Sequence, residues 1–313
     1  MARPFIVVSD GFDSELFKEL VACPQLEVHP QAKLTAEQLK ELLPKVEGLI
    51  IRSATKVDAN LLSAAPKLKL VIRAGEGTDN IDKKACASKG VKVENTPGAN
   101  SNSAAEQAIA LLFAVLRKTA QADASTKAGK WEKSKFTGQE LWQRKVGIVG
   151  MGKIGQIFAK RIAGFEPQIS YWDPFVTLEQ YTKVENLADL FAQSDIISIH
   201  LPLKEQTRNL ITKKELSQLP PHGILINAAR GGIVNEEDLL SILKEKKIWG
   251  AGVDVFKSEP LPADSPFLGL DNCVCTPHLG ASTVQAQVRV GQMAVQQIKA
   301  FFLENKLLNE VKA

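Results

Sequence analysis

Short apolar runs alternate with longer amphipathic stretches through the first third of the chain. The runs predict four strands, at residues 5–8, 48–51, 68–72 and 91–93. The amphipathic stretches predict helices at residues 14–21, 36–43, 59–65 and 83–89. Because parallel strands need crossover helices, this alternation predicts a parallel sheet with helices on both faces.

A second series of the same kind occupies most of the remaining chain. Its apolar runs predict further strands at residues 145–149, 168–172, 195–199, 223–227, 250–254 and 272–275. A turn-rich break at residues 95–101 separates the two series, and a long helix is predicted after it, over residues 102–118. The last helical pattern, at residues 283–303, has no strand of its own to cover. We therefore expect this helix to return to the first domain.

The pattern thus predicts an α/β protein of two doubly wound, parallel-sheet domains with a cleft between them. A chain of 313 residues suits two domains of roughly 150 residues each. We expect residues 1–99 and 283–313 to form one discontinuous domain, and residues 100–282 to form the other. The turn-rich break is expected to act as a hinge.

Composition excludes several classes of protein. Hydrophobic residues make up 44% and charged residues 24%, as in ordinary globular proteins. The net charge of +4 is spread along the chain, so nothing indicates nucleic-acid binding, whereas a small anionic substrate is compatible with it. The longest apolar stretch, residues 108–116, falls short of the roughly 20 residues of a membrane span, and the start resembles no signal peptide. We expect a cytoplasmic protein without membrane contact.

The cysteines and histidines indicate neither a disulfide scaffold nor a metal site. Four cysteines are too few for such a scaffold in a chain of this length. Cys273 and Cys275 alternate within an apolar run, which places both thiols on one strand face and indicates core packing. The histidines lack the paired spacing of metal ligands. No metal is therefore expected.

A glycine-rich turn follows one predicted strand and opens the next helix, with the sequence GMGKIG. In this context the pattern is typical of dinucleotide binding. Gly150 permits the tight turn, Gly152 lets the backbone approach a pyrophosphate, and Gly155 lets helix and strand pack closely. The phosphates are expected at the helix start, near Lys153 and Ile154, where free N–H groups favour negative charge.

An acidic residue in the expected place indicates which dinucleotide is bound. Asp173 ends the next predicted strand, 23 residues after Gly150, where a carboxylate binds the adenosine ribose. This charge repels a 2′-phosphate, and the following Pro-Phe-Val offers no arginine to receive one, so NAD is favoured over NADP. The alternative is that an Asp before proline simply ends the strand in a turn.

Three further residues follow later predicted strands, at the sheet edge where open α/β sheets bind ligands. Arg230 precedes two glycines, and its planar fork suits a carboxylate. His278 can take or give the proton that accompanies hydride transfer, and Glu259 could hold its tautomer. Each alone could be an ordinary loop residue. Together they predict a site that interconverts 2-hydroxy and 2-oxo acids.

These sequences resemble the D-isomer-specific 2-hydroxyacid dehydrogenase family over essentially the whole chain. The segments that carry the resemblance are residues 150–155, 173, 200–203, 227–232, 254–260 and 277–280. It implies a flavodoxin-like substrate domain built from both termini, a central Rossmann-like NAD domain, and a homodimer formed through the NAD domains. It also implies that Arg230 grips the substrate carboxylate and keto oxygen, that Glu259 supports His278, and that His278 is the general acid.

The same resemblance implies further cofactor contacts. Asp254 is expected to contact the nicotinamide, and Arg230 and His278 are expected to touch the cofactor as well as the substrate. The remaining expected contacts lie in loops after the predicted strands, at His200, Leu201, Pro202, Thr207, Ala228, Ala229 and Gly280.

Within the family, the first domain is most similar to members that oxidise 3-phospho-D-glycerate, the first step of serine synthesis. The similar segments are residues 51–57, 73–82, 95–101 and 129–133. Arg52 and Arg73 follow neighbouring predicted strands and are expected to hold the phosphate, with Lys133 or Lys135 joining from a partner chain. Asn100, at the expected hinge, would hydrogen-bond the substrate. Further substrate contacts are expected at Ser53, Gly75, Glu76 and Gly77.

Two features depart from those members. Glu76 stands where the family has a small or apolar residue, and its carboxylate could repel an anionic substrate or pair with Arg73. The sequence ends at Ala313, which predicts a form without the C-terminal regulatory domain of longer members.

Three alternatives remain open. The chain could reduce hydroxypyruvate, glyoxylate or another 2-oxo acid, with Arg52 and Arg73 only structural. It could be an NAD-sensing corepressor that works by binding peptides, although the sequence gives no sign of a peptide groove. An L-specific lactate or malate type of enzyme is disfavoured, because the glycine-rich motif lies behind a complete first domain.

Overall fold

The computed structural model describes residues 3–312 and divides the chain into two compact units. Unit 1 contains the residues up to Asn100 and those from Ala281 onward, and unit 2 contains Ser101–Gly280. The first boundary lies one residue after the predicted position 99, and the second lies two residues before the predicted position 282.

Within the described residues, the sheet of unit 1 has five parallel strands. They are β1 Phe5–Val8, β2 Glu27–Val28, β3 Gly48–Ile51, β4 Leu70–Arg73 and β5 Lys92–Asn95. Their order, β2-β1-β3-β4-β5, is that of flavodoxin-like folds. The connecting helices are α1 Ser14–Val21, α2 Ala36–Leu42, α3 Ala59–Ala64 and α4 Lys83–Ser88. Each begins at an acid or threonine whose side chain accepts N–H groups of the first turn: Asp13, Thr35, Asp58 and Asp82.

Both faces of this sheet are buried, which explains why its strands are continuous apolar runs. In β3, Leu49 and Ile51 belong to one core cluster, and Ile50, between them, belongs to the cluster on the opposite face. Successive strand residues point to opposite faces, so a strand covered on both sides needs apolar residues at every position. The predicted parallel α/β architecture is confirmed in both units.

Unit 2 opens with two consecutive helices, α5 Ser101–Arg117 and α6 Thr119–Lys127. Its strands are β6 Lys145–Val149, β7 Gln168–Trp172, β8 Thr182–Lys183, β9 Ile196–Ile199, β10 Ile224–Asn227, β11 Gly250–Val253 and β12 Cys273–Cys275. Its other helices are α7 Lys153–Ile162, α8 Leu187–Ala192, α9 Lys213–Leu216 and α10 Glu236–Lys244. The parallel order β12-β11-β10-β9-β6-β7-β8 is the Rossmann order with one more strand at an edge.

The last helix, α11 Val284–Glu304, belongs to unit 1. The hydroxyl of Thr283 accepts the N–H of Ala286 and caps its start. Val290 and Ile298 pack in the same cluster as Ile50 of the first sheet. No helix within residues 3–312, α11 included, is long and apolar enough to cross a membrane.

Strands β2 and β8 and helix α6 did not show in the sequence pattern. The strands β2 and β8 have two residues each, too short for a periodicity to show. The helix predicted over residues 102–118 ends at Arg117, because Lys118 adopts a left-handed conformation with φ 51°, and α6 begins after it. Glycine is the usual signal for this conformation. Because position 118 is a lysine and not a glycine, the sequence gives no signal that the helix ends there.

Removal of one buried charge is expected to stabilise unit 1. Glu94 of β5 is fully buried; its Oε1 accepts the N–H groups of Leu308 and Asn309, and its Oε2 has no partner. Burial raises the pKa of Glu94, outweighing those two hydrogen bonds, and nearby Glu310 raises it further. The pKa of Glu94 is therefore higher in the folded chain than in the unfolded chain. The contribution of Glu94 to the free energy of unfolding is complete at low pH and is lost as the pH rises through the pKa of the folded state.

We therefore expect Glu94→Gln to raise the free energy of unfolding at pH 8 by on the order of 1 kcal/mol, and to change it much less at pH 4. Urea denaturation at both pH values measures this. Glu304→Gln removes an exposed charge from the same unit and is the matched control. If Glu94→Gln raises the free energy of unfolding equally at both pH values, the raised pKa of Glu94 is not the cause of the gain.

Candidate active site

The turn between β6 and α7 requires two of its three glycines for steric reasons. Gly150 has φ 95°, and a Cβ on it would lie 2.7 Å from the carbonyl oxygen of His200. A Cβ on Gly155 would lie 2.2 Å from the carbonyl oxygen of Gly150. Neither contact is tolerable, so these glycines let α7 and the loop after β9 close around the end of β6.

Gly152 has a different environment, which fits a bound pyrophosphate. It begins the ten-residue helix α7 without any side-chain cap, and a Cβ on it would meet no atom within 4 Å. No side chain caps the N–H groups of the first turn, beside Lys153 and Ile154, at the positive end of the helix. This is the arrangement that binds phosphate oxygens in dinucleotide folds.

Asp173 follows β7 and fastens the glycine-rich turn. It is 7% exposed, and its Oδ2 accepts the N–H of Met151 at 2.8 Å. Its Oδ1 accepts the N–H groups of Phe175 and Val176, which is the strand-ending turn considered as the alternative from sequence. Asp173 therefore holds the loop in any case, and its contact with the ribose stays a prediction.

The loop after β9 carries four of the expected cofactor contacts. His200 donates its backbone N–H to Val149, and its Nε2 lies 2.9 Å from the hydroxyl of Ser198. Burial lowers the pKa of His200 to about 3, so its imidazole is neutral at physiological pH. Leu201 packs beside Gly150. The Thr207 hydroxyl donates to the carbonyl of Pro202 at 2.7 Å and so fixes the shape of the loop.

The loop after β10 presents Arg230. Buried Asn227 accepts the N–H of Ala229 and donates to the carbonyl of Arg230, which fixes the turn that begins at Ala228. The Arg230 Nη1 donates to the carbonyl of Ala229 at 2.7 Å. A Cβ on Gly231 would lie 2.1 Å from the backbone of Phe256. This glycine therefore allows the loops after β10 and β11 to pack closely.

His278 and Glu259 form a hydrogen-bonded pair in unit 2. The His278 Nδ1 lies 2.7 Å from the Glu259 Oε2, while the Glu259 Oε1 accepts the N–H of Phe256 at 2.9 Å. Burial opposes ionisation of Glu259, but the hydrogen bonds from His278 and Phe256 and the charges of His278 and Arg230 outweigh it and lower its pKa. The structure thus brings all three predicted catalytic residues together.

Asp254 holds the backbone of the histidine loop. Its side chain is fully buried; Oδ1 accepts the N–H of Leu279 at 2.8 Å and the Thr276 hydroxyl, and Oδ2 accepts the N–H of Gly280 at 2.9 Å. His278 itself adopts a left-handed conformation, with φ 55°, and donates its N–H to the Asp254 carbonyl. Asp254 therefore fixes the loop that carries His278, and its contact with the nicotinamide stays a prediction.

The predicted phosphate-binding arginines of unit 1 follow paired strands. Ile51, just before Arg52, pairs with Arg73 in the ladder of β3 and β4. Burial lowers the pKa of Arg52, and nearby Asp10 partly offsets this effect. The Arg73 guanidinium lies where a side chain at Gly75 would be, 1.3 Å from the Cβ position. Glycine at position 75 therefore gives Arg73 its place.

The other expected substrate residues are placed as follows. Ser53 is exposed, and Glu76 and Gly77 are partly exposed in the loop after β4. The Glu76 carbonyl accepts the side-chain N–H of Asn95 at 2.6 Å. The Asn100 Oδ1 is buried and has no hydrogen-bond partner, which suits an acceptor kept for a ligand. Lys133 and Lys135 are exposed and belong to unit 2.

Two residues that the sequence analysis missed shape the Arg52 loop. The Asp10 Oδ2 accepts the N–H groups of Arg52 and Thr55, at 2.7 and 2.9 Å. The Asn80 amide donates to the carbonyls of the same two residues, both at 2.7 Å. Asp10 stands just after β1, and polar residues at strand ends are the signal that could have identified it.

Comparison with known families matches residues 109–280 to the NAD-binding domain of the D-isomer-specific 2-hydroxyacid dehydrogenases. Within the described residues, no three potential ligands lie close enough to hold a metal ion.

Among curated relatives, D-3-phosphoglycerate dehydrogenase of Archaeoglobus fulgidus is 43% identical over 87% of this chain and 53% of its own length. Hydroxypyruvate reductase of Thermotoga maritima is also 43% identical, over 95% of this chain and 98% of its own length. The chain spans about half the length of the curated phosphoglycerate dehydrogenases it matches.

Solved structures with the same fold are also similar to this chain. NAD-dependent formate dehydrogenase from Staphylococcus aureus, solved with NAD, matches with a TM-score of 0.88 and 27% identity over 100% of this chain and 99% of its own. A glyoxylate/hydroxypyruvate reductase from Sinorhizobium meliloti, described as NADPH-dependent, matches with a TM-score of 0.87 and 29% identity over 99% and 98% of the two chains. Unit 2 is thus an NAD-binding domain of this family.

Proposed function

Because the chain belongs to the D-isomer-specific 2-hydroxyacid dehydrogenase family, we propose that it oxidises 3-phospho-D-glycerate to 3-phosphohydroxypyruvate with NAD, the first step of serine synthesis. The hydrogen bond between His278 and Glu259 carries the chemical part of this proposal. The arginines at the ends of β3 and β4 and the similarity to curated phosphoglycerate dehydrogenases support the choice of substrate.

In the proposed mechanism, His278 takes the proton of the C2 hydroxyl. Glu259 accepts the hydrogen bond of Nδ1, which leaves Nε2 as the nitrogen that can receive a proton. Arg230 binds the substrate carboxylate through its planar fork and orients C2. NAD, when bound, would supply the acceptor for the hydride of C2. Gly152, Lys153 and Ile154 at the start of α7 would hold its pyrophosphate, and Asp173 its ribose.

Reduction of hydroxypyruvate or glyoxylate is a second candidate function. The Thermotoga maritima reductase supports it, because this relative is as similar as the phosphoglycerate dehydrogenases and aligns over nearly its full length. The same residues would then run the reaction backwards, with His278 giving its proton to the keto oxygen. Arg52 and Arg73 distinguish the two candidates, since only the phosphorylated substrate gives them a dianion to bind.

Arg73→Ala is expected to lower kcat/KM for 3-phospho-D-glycerate about 100-fold, because hydrogen bonds to charged groups contribute about 1.5–3 kcal/mol each. The rate with D-glycerate should change less than about threefold. Steady-state NADH formation measures both. Lys69→Ala, which removes an exposed cation just before β4, is the matched control. An equal loss with both substrates would indicate a structural role for Arg73 and favour the reductase.

We also propose that the chain forms a homodimer through unit 2. The support is the exposure of Trp131 and Trp142, at 87% and 56%, in the segment between α6 and β6. Large aromatic side chains left in water on one segment are typical of surfaces that bind protein.

A further inference from the structure

Two cysteines of unit 2 lie close enough to interact. In β12 the Cys273 and Cys275 sulfurs are 3.7 Å apart, on the same face of the strand. Both thiols are free, Cys273 is buried, and Cys275 is partly exposed. The sequence had indicated core packing for this pair, and both do pack on one core cluster. Core packing, however, does not require two sulfurs in contact.

We propose that Cys273 and Cys275 are a modification site, at which hydrogen peroxide forms a reversible disulfide within one strand and thereby displaces the His278 loop. The disulfide itself does not depend on the proposed function. The predicted loss of activity does rest on the proposed function, because the activity measured is that of the proposed dehydrogenase.

The environment assigns different roles to the two sulfurs. Hydrogen bonding between the thiols lowers the pKa of Cys275 and raises that of Cys273. Cys275 is also the more accessible of the two, and thiolates that solvent can reach are the ones that peroxides oxidise. Cys275 is therefore the attacking sulfur, and Cys273 is the resolving one.

The chemistry balances with the peroxide as the only oxidant. The Cys275 thiolate attacks one peroxide oxygen, the O–O bond breaks, and hydroxide leaves and takes a proton to become water. The sulfur is then a sulfenic acid. The Cys273 sulfur attacks it, the S–S bond forms, and the hydroxyl leaves as water with the thiol proton. Two electrons pass from the sulfurs to the peroxide.

The bond requires β12 to bend. Positions i and i+2 of an extended strand have Cα atoms about 6.6 Å apart, close to the upper limit of about 6.8 Å for disulfides. The sulfurs must also approach from 3.7 Å to about 2 Å. Within residues 3–312, β12 is an edge strand that pairs with β11 alone, so it can shorten without breaking a second ladder.

This bending reaches His278 through the backbone. Only Thr276 and Pro277 separate Cys275 from His278. The Thr276 N–H donates to Val253 of β11, and its hydroxyl donates to Asp254, which also holds the histidine loop. Shortening β12 at its carboxyl end therefore pulls on the residues that fix His278 against Glu259.

The chemical test is thiol mapping of the full-length chain after treatment with hydrogen peroxide. We expect positions 273 and 275 to become resistant to iodoacetamide together, the chain to lose the mass of two hydrogens, and dithiothreitol to restore both. Cys275→Ser should prevent this, and Cys23→Ser, which removes the other partly exposed thiol, should not. Alkylation of both positions after peroxide, or a sulfinic acid on Cys275 beside a free Cys273, would overturn the disulfide.

The second test is kcat/KM of the same samples. We expect the oxidised chain to lose at least tenfold in kcat/KM and dithiothreitol to restore it, while Cys275→Ser and Cys273→Ala stay active in peroxide. Retained NADH binding, measured by fluorescence, shows that each sample is folded. A disulfide that leaves kcat/KM unchanged overturns the coupling to His278. If the reduced chain oxidises no 2-hydroxy acid, the proposed function fails, and thiol mapping still decides the disulfide.

Discussion

His278→Gln is expected to lower kcat for oxidation of the 2-hydroxy acid by about 10³-fold, because a positioned acid–base group contributes about 10²- to 10⁴-fold. Glutamine can still donate a hydrogen bond to Glu259 but cannot take a proton from the substrate hydroxyl. The affinity for NADH should change much less than kcat, since the residues proposed to hold the pyrophosphate lie at the start of α7 and are not altered. Steady-state kinetics and fluorescence titration with NADH measure the two quantities.

The matched control is His222→Gln. His222 is an exposed histidine of the same unit, and its imidazole is likewise hydrogen-bonded to a carboxylate, that of Asp195 at 2.8 Å. It lies before β10, at the opposite end of that strand from Arg230. Its replacement should leave kcat within about twofold. A His278→Gln variant that keeps more than a tenth of the activity would remove His278 from the proton transfer.

Arg230→Ala is expected to lower kcat/KM by about 10³-fold, because a fork that binds a carboxylate through two charge-assisted hydrogen bonds contributes several kcal/mol. Arg230→Lys keeps the charge but not the planar fork, so we expect it to recover only part of the loss. The split between kcat and KM shows whether the arginine acts on the bound substrate or on the transition state.

The control for Arg230 is Arg144→Ala. Arg144 precedes β6, at the end of the strand opposite the glycine-rich turn, and its side chain donates to Gln139 at 2.7 Å. Its replacement should leave kcat/KM unchanged within about twofold. If Arg230→Lys is as active as the unchanged chain, charge alone suffices, and the bidentate contact is wrong.

Most of the fold was predictable because the strands are buried on both faces. Runs such as Ile224–Asn227 are apolar at nearly every position and are bounded by turns, so they are legible in a single sequence. The glycine-rich motif was equally predictable, since a Cβ on Gly150 or Gly155 would clash with nearby backbone atoms. These features could be predicted because burial of a strand and steric clashes within a turn restrict the residue types at nearby positions.

The parts that were missed depend on contacts between distant segments. Asp10 holds the Arg52 loop from 42 residues away, and Asp254 holds the loop of Leu279 and Gly280 from about 25 residues away. The separation of two residues along the sequence does not predict such hydrogen bonds, because only the folded chain brings the partners together. The structural role of Asp254, which holds the backbone of the loop that carries His278, could therefore not be predicted from the sequence.

The most direct test of the central claim is NADH formation from 3-phospho-D-glycerate, D-glycerate and D-lactate at equal concentration. The proposed function predicts that kcat/KM for the phosphorylated acid exceeds that for the others at least about 100-fold, the contribution expected from the two arginines of unit 1. An unphosphorylated acid that reacts as well would contradict the choice of substrate. No NADH from any of the three, with NAD bound, would contradict the assignment of this site to 2-hydroxyacid oxidation.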